Sequence, residues 1–137
     1  MDKLVKQLIK HEGEVLTAYK CPAGYITVGV GRNLEGKGIT KAESRMLLMN
    51  DVGECEADLI RIFGAGGWER MSSNRRIALI DMRFNLGPGR FRSFRRMIQA
   101  IRAEDWAWAG KEAMDSRWAV QVQKSRSGLI YAQLVGG

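Results

Sequence analysis

Between Glu12 and Thr27 the chain brings together a carboxylate, a thiol at Cys21 and a hydroxyl, all within the stretch EGEVLTAYKCPAGYIT. A carboxyl that keeps its proton can give it to a leaving oxygen, while polar groups opposite hold or activate a water. Acid-assisted hydrolysis is the chemistry such a set would support. Taken singly, each residue has an ordinary reading. A Glu near a helix end is mostly solvated, a Thr in a strand is common, and a Cys in a turn is more often incidental than reactive. The joint arrangement is far less common.

The elements that must position these groups follow from the spacing around them. Leu4, Val5, Leu8 and Ile9 recur at helical intervals, and Glu12 falls four residues beyond Leu8 on the same stripe. This places a carboxylate on a face meant for burial, which would raise its pKa as a general acid requires. Cys21-Pro22-Ala23-Gly24 reads as a turn. Strand alternation then sets Ile26, Val28 and Val30 on one face, expected to be core, and Tyr25, Thr27, Gly29 and Gly31 on the other. Glycine inside a strand often marks close approach of a ligand or another backbone.

Further motifs fall in a recognisable order: Glu12-Gly13, Tyr19-Lys20, Gly24-Tyr25-Ile26-Thr27-Val28-Gly29-Val30-Gly31, Ile39-Thr40-Lys41, Asp51, Arg75-Arg76, Asn85-Leu86-Gly87, Phe91 and Ser116-Arg117-Trp118. On these motifs, which cover most of its length, the chain resembles the phage-type lysozymes, the endolysin muramidases of tailed bacteriophages. The resemblance implies an α+β, mostly helical fold, with a small N-terminal β-hairpin lobe joined by a long helix to a helical C-terminal lobe. It makes residues 1–137 one lysozyme-like catalytic domain. The implied lobes are roughly 13–40 and 64–137, bridged by a helix over 41–63, with residues 1–12 packing on the helical lobe. It also implies hydrolysis of the β-1,4 bond between N-acetylmuramic acid and N-acetylglucosamine in peptidoglycan.

Carried over residue by residue, Glu12 is the general acid, and Thr27 and Cys21 hold or activate the water. Tyr25, Gly29, Gly31, Asn85 and Phe91 are the substrate-binding residues. Arg126 matches the arginine that pairs with the catalytic Glu, and Asp51 stands at the family's buried aspartate. Two positions depart from the family. Cys21 replaces the usual second catalytic aspartate, and Arg32 replaces a histidine, where it could pair with Asp51 as the protonated histidine does. A thiol with a pKa of about 8.5 is mostly neutral at pH 7 unless its surroundings depress it. Loss of the second carboxylate keeps a lytic transglycosylase open as an alternative, as is a non-catalytic wall-binding or tail-structural domain.

Composition narrows the partners. A net charge of +7 favours anionic ones, and the basic clusters Arg75-Arg76 and Arg90–Arg96 read first as solvated helix faces. No nucleic-acid motif is present, so bacterial peptidoglycan is the expected partner and nucleic acid is not. A single His and two Cys lack metal-ligand spacing, and no cofactor is expected. Cys21 and Cys55 read as free thiols. No apolar run suits a membrane span, and Lys3, Lys6 and Lys10 interrupt any signal-peptide core. The expectation is a monomer made in the host cytoplasm that reaches the cell wall through a holin or other release factor.

Beyond the hairpin the chain reads as helices. Thr40-Lys41-Ala42-Glu43 is a capping box opening a helix to about Phe63, ended by Gly64-Ala65-Gly66-Gly67. Ser72-Ser73 starts another helix, stopped by Gly87-Pro88-Gly89. One or two helices are expected between Ser93 and Trp118, and a last one from Ser125 to Leu134. Met82, Phe84, Trp106 and Trp118 are expected in the core.

Overall fold

The computed structural model describes residues 1–137, and they form a mostly helical α+β chain with a three-stranded antiparallel sheet. The chain divides into two compact units, Met1–Leu47 and Leu48–Gly137.

The first unit begins with α1 (Asp2–Glu12), which carries Asp2 in its first turn and Lys10 and His11 in its last, both suited to the helix dipole. Gly13, at φ 76°, turns the chain out of the helix as its amide bonds the Ile9 carbonyl at 2.8 Å. Strands β1 (Val15–Lys20), β2 (Ile26–Gly29) and β3 (Arg32–Asn33) follow in that spatial order. Tyr19, Thr27 and Asn33 stand side by side across them. The Cys21–Gly24 turn forms as expected, closed by the Gly24 amide on the Cys21 carbonyl at 2.8 Å.

Two expectations about burial are corrected here. Leu4, Val5 and Leu8 are about half exposed and α1 buries no residue, so Glu12 is exposed rather than enclosed. No element of the first unit covers that stripe. In β2 the alternation is right and the inside is reversed. Thr27 is 3% exposed, whereas Ile26 is 39% exposed. The Thr27 side chain lies in the middle strand beneath the Cys21 turn, while Val28 and Val30 wall an open groove of about 570 Å³ with Ile39 and Met46.

Helix α2 (Lys41–Phe63) opens with the expected capping box: the Glu43 amide donates to Thr40 Oγ1 at 3.1 Å, and the Thr40 amide to Glu43 Oε1 at 2.9 Å. It ends at Gly64, φ 78°, but the glycine run then forms the short helix α3 (Ala65–Arg70), which buries Trp68. Ser72 caps α4 (Ser73–Arg92), which breaks at Gly87, φ 79°, where the sequence placed its stop. Pro88 resumes a helical turn, a position where its missing N–H costs nothing. Helices α5 (Arg95–Arg102), α6 (Trp106–Met114), α7 (Arg117–Gln121) and α8 (Lys124–Gly136) complete the second unit.

Its core is built by Leu59, Leu79, Met82, Phe91, Ile101 and Leu134, all essentially inaccessible. Trp118 belongs to it and Trp106 packs on its edge, but Phe84 is 44% exposed. Asp58 is buried on α2, where Arg83 donates to it through Nε at 2.8 Å and Arg92 through Nη1 at 2.8 Å. No helix is long and apolar enough to cross a membrane.

Candidate active site

The first unit gathers most of the chemistry-bearing residues. Glu12 ends α1, and its side chain lies against Gly31 just beyond β2: a β-carbon built on Gly31 would stand 3.2 Å from Glu12 Oε2. The close approach expected at a strand glycine is therefore made here by the carboxylate itself. Gly31 also sits at φ 66°, a conformation glycine adopts without strain. Gly29 shares that φ but faces open space, and Tyr25, at the other end of β2, is about half exposed.

Cys21 is partly exposed at the start of the turn. The backbone amide of Tyr25 is the largest influence on its thiol, and together with the Ala23 and Gly24 amides and the Thr27 hydroxyl it holds the pKa below the usual thiol value, against partial desolvation. The Tyr25 and Ala23 amides act on the sulfur from within the turn, while the Gly24 amide and the Thr27 hydroxyl are donated to the Cys21 and Tyr25 carbonyls. Thr27 Oγ1 donates to the Tyr25 carbonyl at 2.9 Å and lies beside the sulfur. Its single proton has two acceptors within reach. The depression comes from backbone amides of the turn and not from the neighbouring Lys20.

Arg32 is held by Glu43, with Nη1 2.8 Å from the carboxylate, and by the Gly38 carbonyl at 3.2 Å. The expected carboxylate partner was Asp51. Glu43 takes that place because the capping box already fixes it at the start of α2, and Asp51 is an exposed residue. The Arg32 guanidinium and the Thr40 amide lower the Glu43 pKa to about 2. The buried aspartate of α2 is Asp58, two turns beyond Asp51. Its pKa is well below the carboxylate range, chiefly through Arg92.

The remaining site residues lie in the second unit. Asn85 is exposed, with its carbonyl accepting the Trp118 indole N–H at 2.8 Å, so its amide nitrogen is left to face solvent. Phe91 is 0% exposed and packs in the core, which rules it out as a surface contact for substrate. The bends at Gly87 and Ser93 on either side turn it inward. Arg126 is engaged by Asp81, whose carboxylate accepts from Nε at 2.8 Å and whose carbonyl accepts from Nη2 at 3.3 Å. Asp81 had not been singled out from sequence; nothing local in the chain marks its pairing with a residue so distant.

Residues 9–133 match the phage lysozyme family model, and the chain belongs to that family of glycosidase-type enzymes. The chain is 26% identical to each of two probable T4-type lysozymes, 1 and 2, of Dictyostelium discoideum, over 92% of this chain and 91% of each relative. It is 27% identical to the pre-baseplate central spike protein Gp5 of Enterobacteria phage T4, over 97% of this chain. The chain spans only 28% of that spike protein.

Proposed function

We propose that the protein is a peptidoglycan hydrolase cleaving the β-1,4 bond between N-acetylmuramic acid and N-acetylglucosamine. The observation that carries this reading is the Glu12 carboxylate overlying Gly31 on the same small unit that holds buried Thr27 and the Cys21 turn. Glu12 is the acid that protonates the glycosidic oxygen. Thr27 and Cys21 orient a water toward the anomeric carbon, and the sulfur, in its ionised form, accepts the proton of that water as it attacks. Tyr25 and the open backbone at Gly29 border the path of the glycan.

Digestion of purified sacculi followed by mass spectrometry of the muropeptides tests this. Reducing ends are expected, and Glu12→Gln, which removes only the donatable proton, is expected to lower their release by at least about a hundredfold. Anhydro ends would replace hydrolysis by transglycosylation, and equal release by the folded variant would remove Glu12 from the chemistry.

The match to a central spike protein favours a second reading of where this activity is used, as a wall-cutting unit within a virion rather than a free lysis enzyme. Mass spectrometry of purified virions separates the two. The lysis reading expects the protein to be absent from particles and to need a holin or equivalent for release.

A further inference from the structure

Arg90, Arg92, Arg95, Arg96 and Arg102 fall in a segment, residues 90–102, that holds no acidic residue. The remainder of the second unit, Leu48–Gly137, carries nine basic and ten acidic side chains, so this segment accounts for the whole positive excess of the unit. Arg92 is tied to Asp58 and Arg102 donates to the Ile62 carbonyl at 2.9 Å, but the charges of Arg90, Arg95 and Arg96 are not spent on the fold. Arg95 and Arg96 occupy the first turn of α5, where the helix dipole disfavours cations. Arg90, Arg95, Arg96 and Arg117 are exposed and none is in a salt bridge, whereas Arg83, Arg92 and Arg126 are each held by a carboxylate.

These guanidinium groups line two grooves. One, of about 490 Å³, is bordered by Arg90, Arg95, Arg96 and Arg117, with Phe94 and Trp118 beneath. Glu112, which accepts the Trp108 indole N–H, and Asp115 border its other side. The second, of about 350 Å³, is lined by Arg61, Arg92, Arg95 and Arg102 with Ile62 and Ile98. Arg95 lines both, so the two grooves are neighbours along α5 and their arginines follow one another as a basic track.

Arginine forks match phosphate oxygens bidentately, and a row of them suits a polymer with a charge at every repeat. The track offers no platform for nucleobases. Phe91 and Trp118 are buried, and Phe94 packs edge-on against Trp118 with ring centroids 6.4 Å apart. We propose that the arginine track over Arg90, Arg95, Arg96 and Arg102 binds a phosphate-bearing anionic polymer of the cell wall and holds the protein on its insoluble substrate. The inference rests on the wall-hydrolase reading for the location of the polymer and on the arginines for its chemistry.

The test compares binding of the full chain to purified walls that carry polyol-phosphate polymers and to the same walls stripped of them by hydrofluoric acid. The intact walls are expected to bind about tenfold tighter at low salt, with the advantage falling steeply as salt rises. The triple substitution Arg90→Gln, Arg95→Gln, Arg96→Gln is expected to abolish the advantage, with an unchanged melting temperature and unchanged hydrolysis of stripped walls. Equal binding to both walls, or a preference that survives the triple substitution, overturns the proposal. Duplex DNA bound as tightly as intact walls, and lost with the same substitutions, overturns it in favour of a nucleic-acid site. Binding is read without turnover, so a protein that binds intact walls and cuts none would sink only the hydrolase reading.

Discussion

The Glu12 side chain lies over Gly31, where the absence of a side chain leaves room for its carboxylate. A methyl group at position 31 would come within 3.2 Å of Glu12 Oε2 and displace it. Gly31→Ala therefore combines two effects. The left-handed backbone, at φ 66°, costs about 1–2 kcal/mol with any β-carbon, and the carboxylate must move. Gly29→Ala shares the same φ but meets open space. Thermal melts should show both variants similarly destabilised, while sacculus hydrolysis per folded molecule falls for Gly31→Ala. An unimpaired Gly31→Ala rate would detach the placement of Glu12 from this glycine.

Thr27→Val keeps the shape of a buried, β-branched strand residue and removes its hydroxyl. The loss of one hydrogen bond to the Tyr25 carbonyl should cost about 1 kcal/mol. The larger expected effect is on Cys21, which loses one of the donors that favour its thiolate. Alkylation of Cys21 should reach half its maximal rate at higher pH in the variant than in the wild type, and hydrolysis should drop. In the wild type that midpoint should lie below the one for Cys55, whose thiol burial pushes up. Identical profiles for wild type and Thr27→Val would show that the hydroxyl does not reach the sulfur.

The chain announces some of this and conceals the rest for physical reasons. Glu12, Cys21, Thr27 and the glycines belong to one local stretch, so turn chemistry and strand period were enough to bring them together in the first unit. The capping box at Thr40 and Glu43 and the break at Gly87 were equally local. Which face of β2 is inside was not, because alternation alone is symmetric between the two faces. Long-range pairings escaped for the same reason. The Asp58 carboxylate meets Arg83 and Arg92 across many intervening residues, and Arg126 meets Asp81 likewise.

Arg32 and Glu43 make a pH-dependent clamp between β3 and the start of α2. The Glu43 pKa falls from 4.5 to about 2, so its contribution to stability is complete above about pH 4.5 and is lost as pH falls toward 2. Calorimetric melts of the wild type between pH 5 and 2 should show a steeper decline than those of Glu43→Gln, which has no proton to take up. Both residues are partly exposed, so the difference should be modest and shrink in high salt. Parallel curves for the two proteins would show that the pair contributes nothing.

Phe91 tests whether a residue implied as a substrate contact is instead a packing residue. It is 0% exposed among Leu79, Met82 and Met97 and the other core side chains of the second unit. Truncation to Ala should cost about 3–5 kcal/mol, a large part of a typical domain's stability. Phe91→Leu keeps most of the apolar volume and should cost far less. The decisive comparison is hydrolysis by Phe91→Leu at low temperature, normalised to the folded fraction from circular dichroism. A core residue leaves KM and kcat near wild type once folding is accounted for. A raised KM in fully folded Phe91→Leu would mean that the ring reaches substrate after all, through an opening of the segment between Gly87 and Ser93.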